Sequence, residues 1–91
     1  MELGSRSRPR LPRGVKLRHD EVRARWTLLA PERIFEVDAT AVAVLQLCDG
    51  ERELAEIVAE LARRYNAPVA VIEKDVIAML GALLDKRVLE T

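Results

Sequence analysis

Residues 13–38, RGVKLRHDEVRARWTLLAPERIFEVD, decide the fold. Val15, Leu17 and His19 alternate with Lys16 and Arg18, the two-residue period of a half-buried strand. Asp20-Glu21 supplies a polar turn. Val22, Ala24, Trp26 and Leu28 then alternate with Arg23, Arg25 and Thr27. Pro31 has no N–H to give a ladder, so Ala30-Pro31-Glu32 ends that strand. Arg33 to Val37 is read as a third, short strand at the sheet edge. The predicted strands cover about 15–19, 23–29 and 33–37. Trp26 is expected under the sheet, with an indole N–H that needs a partner there.

After Val37 the period changes from two to that of a helix. Asp38 suits the N-cap of a helix beginning at Ala39, because its carboxylate can accept from first-turn N–H groups. Gly50 is expected to stop that helix in a left-handed turn, giving a span of about 39–48. From Glu53 to Tyr65, Leu54, Ile57, Val58, Leu61 and Ala62 share one face of an amphipathic helix. Asn66-Ala67 is a tight break, and Pro68 fits the first position of a last helix over about 68–86. Its core stripe is Ile72, Val76, Met79, Leu80 and Leu83, with Ile77 and Leu84 about 60–100° round the axis. They widen the apolar face, either as a broad core contact or as a groove for a partner. Val88 and Leu89 are expected to fold back on the core. The fold class is α+β: a three-stranded antiparallel sheet followed by three helices.

Composition narrows the function classes. The 91 residues suit one domain with one core. Aromatics amount to Trp26, Phe35 and Tyr65, so that core must be aliphatic. Residues 1–12 are rich in Arg, Ser and Pro and read as a flexible tail or linker, leaving the domain to 13–91. Formal charge sums to zero but is uneven, with the basic excess in residues 1–25 and the acidic excess after them. A single cysteine, Cys48, excludes an internal disulfide and fits a reducing compartment. An apolar signal segment is lacking and no apolar run is long enough to span a membrane, so a cytoplasmic location is expected.

The chain carries little reactive chemistry. One histidine and one cysteine fall in different predicted elements, too few for a zinc site or an activated nucleophile. The four glycines form no phosphate loop. His19 reads as a strand-end surface residue, and Cys48 as a small buried apolar group. Neither enzymatic activity nor a metal or cofactor is expected.

Two binding classes fit the layout. Paired helices beside a sheet have the outline of a winged helix, and a nucleic-acid-binding regulator is the alternative reading. The candidate recognition helix, however, starts PVAVIEKD, with two acids and one lysine, which opposes a phosphate backbone. Peptide recognition by strand addition needs only an open edge and adjoining pockets. That is the favoured reading.

The stretch RGVKLRHDEVRARWTLLAPER, LCDG at 47–50, AEIV at 55–58, and YNAP followed by VIEKDVIAML resemble, in order and spacing, the PqqD family of pyrroloquinoline quinone (PQQ) biosynthesis. The likeness runs from Pro9 to Leu89. It implies a winged-helix-like RiPP recognition element that acts as a peptide chaperone. Such a protein binds the precursor peptide PqqA and presents it to the radical SAM enzyme PqqE. In some relatives it is fused behind PqqC, so PqqC is an expected fused or associated partner and residues 1–12 a linker. The implied peptide site is the third strand, Arg33, Ile34, Phe35, Glu36 and Val37, with Lys74, Ile77, Leu80 and Leu84 on the last helix. The basic outer sheet face, Lys16, Arg18, Arg23 and Arg25, is the expected surface for PqqE.

Overall fold

The computed structural model describes residues 3–91. Three strands, β1 (Lys16–Asp20), β2 (Arg25–Ala30) and β3 (Arg33–Val37), precede three helices, α1 (Ala39–Gln46), α2 (Leu54–Tyr65) and α3 (Val69–Asp85). The sheet is antiparallel in the order β1-β2-β3, so β3 lies at an edge.

The first hairpin is shorter than the alternation predicts. Asp20 Oδ1 accepts from the N–H groups of Val22 and Arg23, and Ala24 takes a left-handed φ of 53°. Val22, Arg23 and Ala24 therefore form the loop rather than the start of β2, and Val22 is 95% exposed. An aspartate at a turn offers the backbone an alternative to the ladder, and here it prevails. The second hairpin turns on Pro31-Glu32, with Ala30 opposite Arg33. Proline at the first loop position and φ 61° at Glu32 are the signature of a type II turn.

The inner sheet face carries Leu17, Leu28 and Phe35 in one register row. Leu28 is wholly buried, against Leu45, Leu54, Ile57, Leu61, Leu80 and their neighbours in an aliphatic core. Trp26 does not reach that core. It is half-buried at the far end of β2, its ring centroid 4.9 Å from that of the exposed His19. The indole N–H there is not buried deeply enough to demand a partner.

Helix ends follow local chemistry. Asp38 Oδ1 accepts from Ala41 N at 2.8 Å, capping α1 as expected. Gln46 ends α1, and Leu47 and Cys48 close the turn with N–H bonds to Val44 and Leu45. The helix thus stops before Gly50. Glu53 N donates to Glu56 Oε1 at 3.0 Å in a capping box that starts α2. Asn66 ends α2 in the left-handed region, φ 49°. Pro68 is the N-cap of α3 rather than its first helical residue. Val88 and Leu89 are buried, folded back on the core.

The expectation of a flexible tail over 1–12 is corrected by the fold. Met1 and Glu2 lie outside the described residues, but Ser5 to Arg10 form a bound arm. Ser5 O and Ser7 O accept from Ala55 N and Leu54 N, the open donors at the start of α2. Pro9 O accepts from Gly50 N, and Arg10 exchanges two backbone bonds with Glu90. Pro9 itself is fully buried. The arm is polar in side chains yet holds by its backbone, a contribution that apolar content does not reveal. Gly50, with φ 81°, is where the arm passes: a Cβ there would meet the Arg10 side chain at 3.2 Å.

Candidate functional site

Hairpin geometry fixes which groups β3 leaves open. Residues flanking a two-residue loop form a hydrogen-bonded pair, and such pairs alternate along the ladder. Arg33, Phe35 and Val37 therefore turn their backbone groups to β2, while Ile34 and Glu36 turn theirs outward. The side chains alternate across the other axis. Phe35 and Val37 are half-buried on the core side, and Ile34 is 72% exposed on the outer face.

Beside this edge runs α3. Arg33 Nη2 donates to the Lys86 carbonyl oxygen at 2.5 Å, tying the start of β3 to the end of α3. Two cations lie over the Phe35 ring: the Arg33 guanidinium is 5.3 Å and the Lys86 ammonium 5.6 Å from its centroid. Past the other end of β3, Asp38, Thr40, Ala41 and Val44 line a cleft of about 480 Å³ together with Leu61 and Tyr65 of α2 and Ile72, Asp75, Val76 and Met79 of α3. The strand and helix thus run side by side in opposite directions.

That placement selects a helix row. At about 100° per residue, Asp75, Met79, Ala82 and Lys86 fall within about 60° of one another. The groove positions expected from the sequence are Lys74, Ile77, Leu80 and Leu84. Leu80 is wholly buried in the core and Leu84 packs against it next to Leu89. Lys74 and Ile77 are exposed, about 80° or more round the axis from every member of that row. Broad apolarity could not tell which of two faces met the sheet. The tie of Arg33 to the Lys86 carbonyl joins β3 to α3 across more than fifty residues of chain, which makes it a tertiary fact.

The expected basic surface is divided. Lys16, Arg18 and Arg25 share the outer sheet face with Leu29 and Ile34, and Arg25 pairs with Glu36 at 3.1 Å. Arg23 sits in the first hairpin loop. Cys48 is buried, its thiol donating to Val44 O at 3.3 Å. Burial, with the charge of Asp49 beside it, pushes the thiol from 9.0 up to about 12. At neutral pH it is a protonated core group, not a nucleophile. Among the described residues no three His, Cys, Asp or Glu side chains cluster as metal ligands, and no helix is long and apolar enough to cross a membrane.

The fold and edge define a class: a small α+β domain whose last strand stands open beside a helix. Residues 25–89 match the family model described as coenzyme PQQ synthesis protein D (PqqD), and the chain belongs to that family. It is 54% identical over 86 residues to a PqqA binding protein of Rhodopseudomonas palustris strain HaA2, covering 94% of this chain and 84% of that one. It is 55% identical over 82 residues to the bifunctional coenzyme PQQ synthesis protein C/D of Methylorubrum extorquens, covering 90% of this chain but only 22% of that longer protein. The solution structure of the PqqD truncation of Methylobacterium extorquens PqqCD, described as a stand-alone RiPP recognition element, superimposes with a TM-score of 0.85 at 50% identity, over 98% of this chain and 95% of that one. The crystal structure of PqqD from Xanthomonas campestris gives 0.62 at 43% identity, over 98% and 99%.

Proposed function

We propose that this domain binds the precursor peptide PqqA by adding it as a fourth strand to β3 and presents it to PqqE during pyrroloquinoline quinone biosynthesis. The observation that carries the reading is the open β3 edge with α3 beside it. Ile34 and Glu36 offer unpaired backbone donors and acceptors, and the cleft past Val37 supplies an apolar pocket. Relatives at this identity are named PqqA binding proteins, which gives the peptide its identity.

Within the peptide site, Arg33 to Val37 stay as expected from sequence, and the helix contribution shifts to Asp75, Met79 and Lys86. The outer sheet face, with Lys16, Arg18, Arg25 and the neighbouring Arg23, is distinct from that groove and suits PqqE, since a ternary complex needs both surfaces at once. The protein acts as a carrier without turnover of its own. Titrating isotope-labelled protein with PqqA, alone and with PqqE present, tests the reading. Peptide shifts confined to β3, the Asp38 turn and α3, with PqqE shifts on the outer face, support it. PqqA shifts centred on β1 or on the outer face would overturn it.

A further inference from the structure

Charge is sorted from the start of β3 to the cleft past its end. At one end stand Arg33 and Lys86, flanking Phe35. At the other, Asp38 and Asp75 stand on the rim of the apolar cleft of about 480 Å³. None of these four has an ion-pair partner among the described residues. The pairs that do form lie elsewhere: Arg8–Glu53, Arg10–Glu90, Arg25–Glu36, Arg52–Asp49, and Glu60 with Arg63 and Arg64. Arg33 engages a carbonyl oxygen and Asp38 caps α1, contacts that leave their net charges uncompensated.

Backbone pairing to an edge strand is nearly indifferent to sequence and can run in either direction. Sorted charge removes that indifference. From Arg33 to Asp38 an extended chain covers about 17 Å at about 3.3 Å per residue. That exceeds the screening length of about 8 Å at physiological salt, so each end acts on its own stretch of peptide.

We propose that the two ends select opposite chemistry in the docked peptide: a bulky apolar side chain with a cationic neighbour at the Asp38–Asp75 cleft, and a carboxylate at the Arg33–Lys86 end. This order fixes the direction and register of the peptide. It rests on the strand-addition reading above and adds to it the chemistry of the occupant.

The test uses PqqA as the probe, with affinity measured by calorimetry against Asp75→Lys, Lys86→Glu and Ala41→Trp, each checked for folding by its amide spectrum. The two charge reversals fall at exposed sites and are expected to keep the fold. Each should weaken binding about fivefold, less at high salt. Reversing one cation of PqqA should rescue Asp75→Lys, and reversing a carboxylate about five residues away should rescue Lys86→Glu. Ala41→Trp, which fills the cleft, should cost more than about tenfold. Normal binding by both charge variants, alongside loss of binding in Ile34→Pro, would overturn the sorting and leave strand addition standing. Normal binding by Ile34→Pro as well would overturn both.

Discussion

The arm from Ser5 to Arg10 and the strand β3 are short segments of similar length, and they differ in where their backbone bonds go. Apart from the turn bonds between Ser7 and Gly4, the backbone bonds described for the arm end on Ala55, Leu54, Gly50 and Glu90 of the domain. β3 is satisfied by β2 on one side only, and its other edge has no neighbouring strand. One segment is structural although its composition looks disposable. The other is available for a partner although its composition looks like core. Backbone satisfaction, not side-chain polarity, separates the two roles.

Removing the arm should therefore have the largest effect on folding. Deleting residues 1–12 frees helix N-terminal donors, uncovers the core beneath Pro9 and unpairs Glu90. Several bonds at about 1 kcal/mol each, with shifts of roughly 4–8 °C per kcal/mol in a domain this size, predict a fall in Tm of more than about 10 °C. A thermal melt of the deletion variant checks this, and a fall within about 3 °C would return the segment to the status of a tail.

A smaller loss is expected at the point where the arm crosses Gly50. Gly50→Ala forces a Cβ into the left-handed region against the Arg10 side chain, at a cost of about 1–2 kcal/mol. Urea unfolding should show it, and the loss should shrink when Arg10 is also changed to Ala. An undiminished loss would assign the effect to φ and to the Arg10 Cβ, which stays 3.3 Å away in the double variant.

Cys48 reports on the core that both segments flank. Its folded pKa of about 12 lies above the ordinary 9.0, so from pH 9 to 12 the unfolded chain ionises first and stability falls as pH rises. Thiol labelling at pH 8 should be slow in the native protein and should quicken in the arm deletion. Rapid labelling of the native chain would contradict the burial.

Least affected should be the exposed face of β3. Ile34→Ala keeps the backbone and should change stability by no more than about 0.5 kcal/mol, measured by urea unfolding.

The sequence made the order of elements legible because each has a local cause. Alternation about Leu17 and Leu28, the donor missing at Pro31, the Asp38 cap and the left-handed Asn66 all act within a few residues. The errors arose where a competing side chain or a distant group decides. The start of β2 moved to Arg25 because the Asp20 carboxylate captured two N–H groups of the loop. The arm looked flexible because its partners, Leu54 and Glu90, are far away in the chain. At the site, β3 was readable from Pro31 and the alternation, whereas the tie of Arg33 to Lys86 joins groups far apart in the chain. Lys74, Ile77, Leu80 and Leu84 follow from the breadth of the apolar face, whereas the proposal of Asp75, Met79 and Lys86 starts from the tie of Arg33 to Lys86 and the cleft past Val37.

The central claim is that β3 receives PqqA through outward backbone groups, and a proline scan along that strand tests it most directly. Proline at Phe35 removes a donor from the β2–β3 ladder and should destabilise the fold. Proline at Ile34 or Glu36 removes only an outward donor, so both variants should stay folded while PqqA binding weakens. Alanine at the same two positions should bind more tightly than proline. Folded Ile34→Pro and Glu36→Pro proteins that bind PqqA with undiminished affinity would contradict the account.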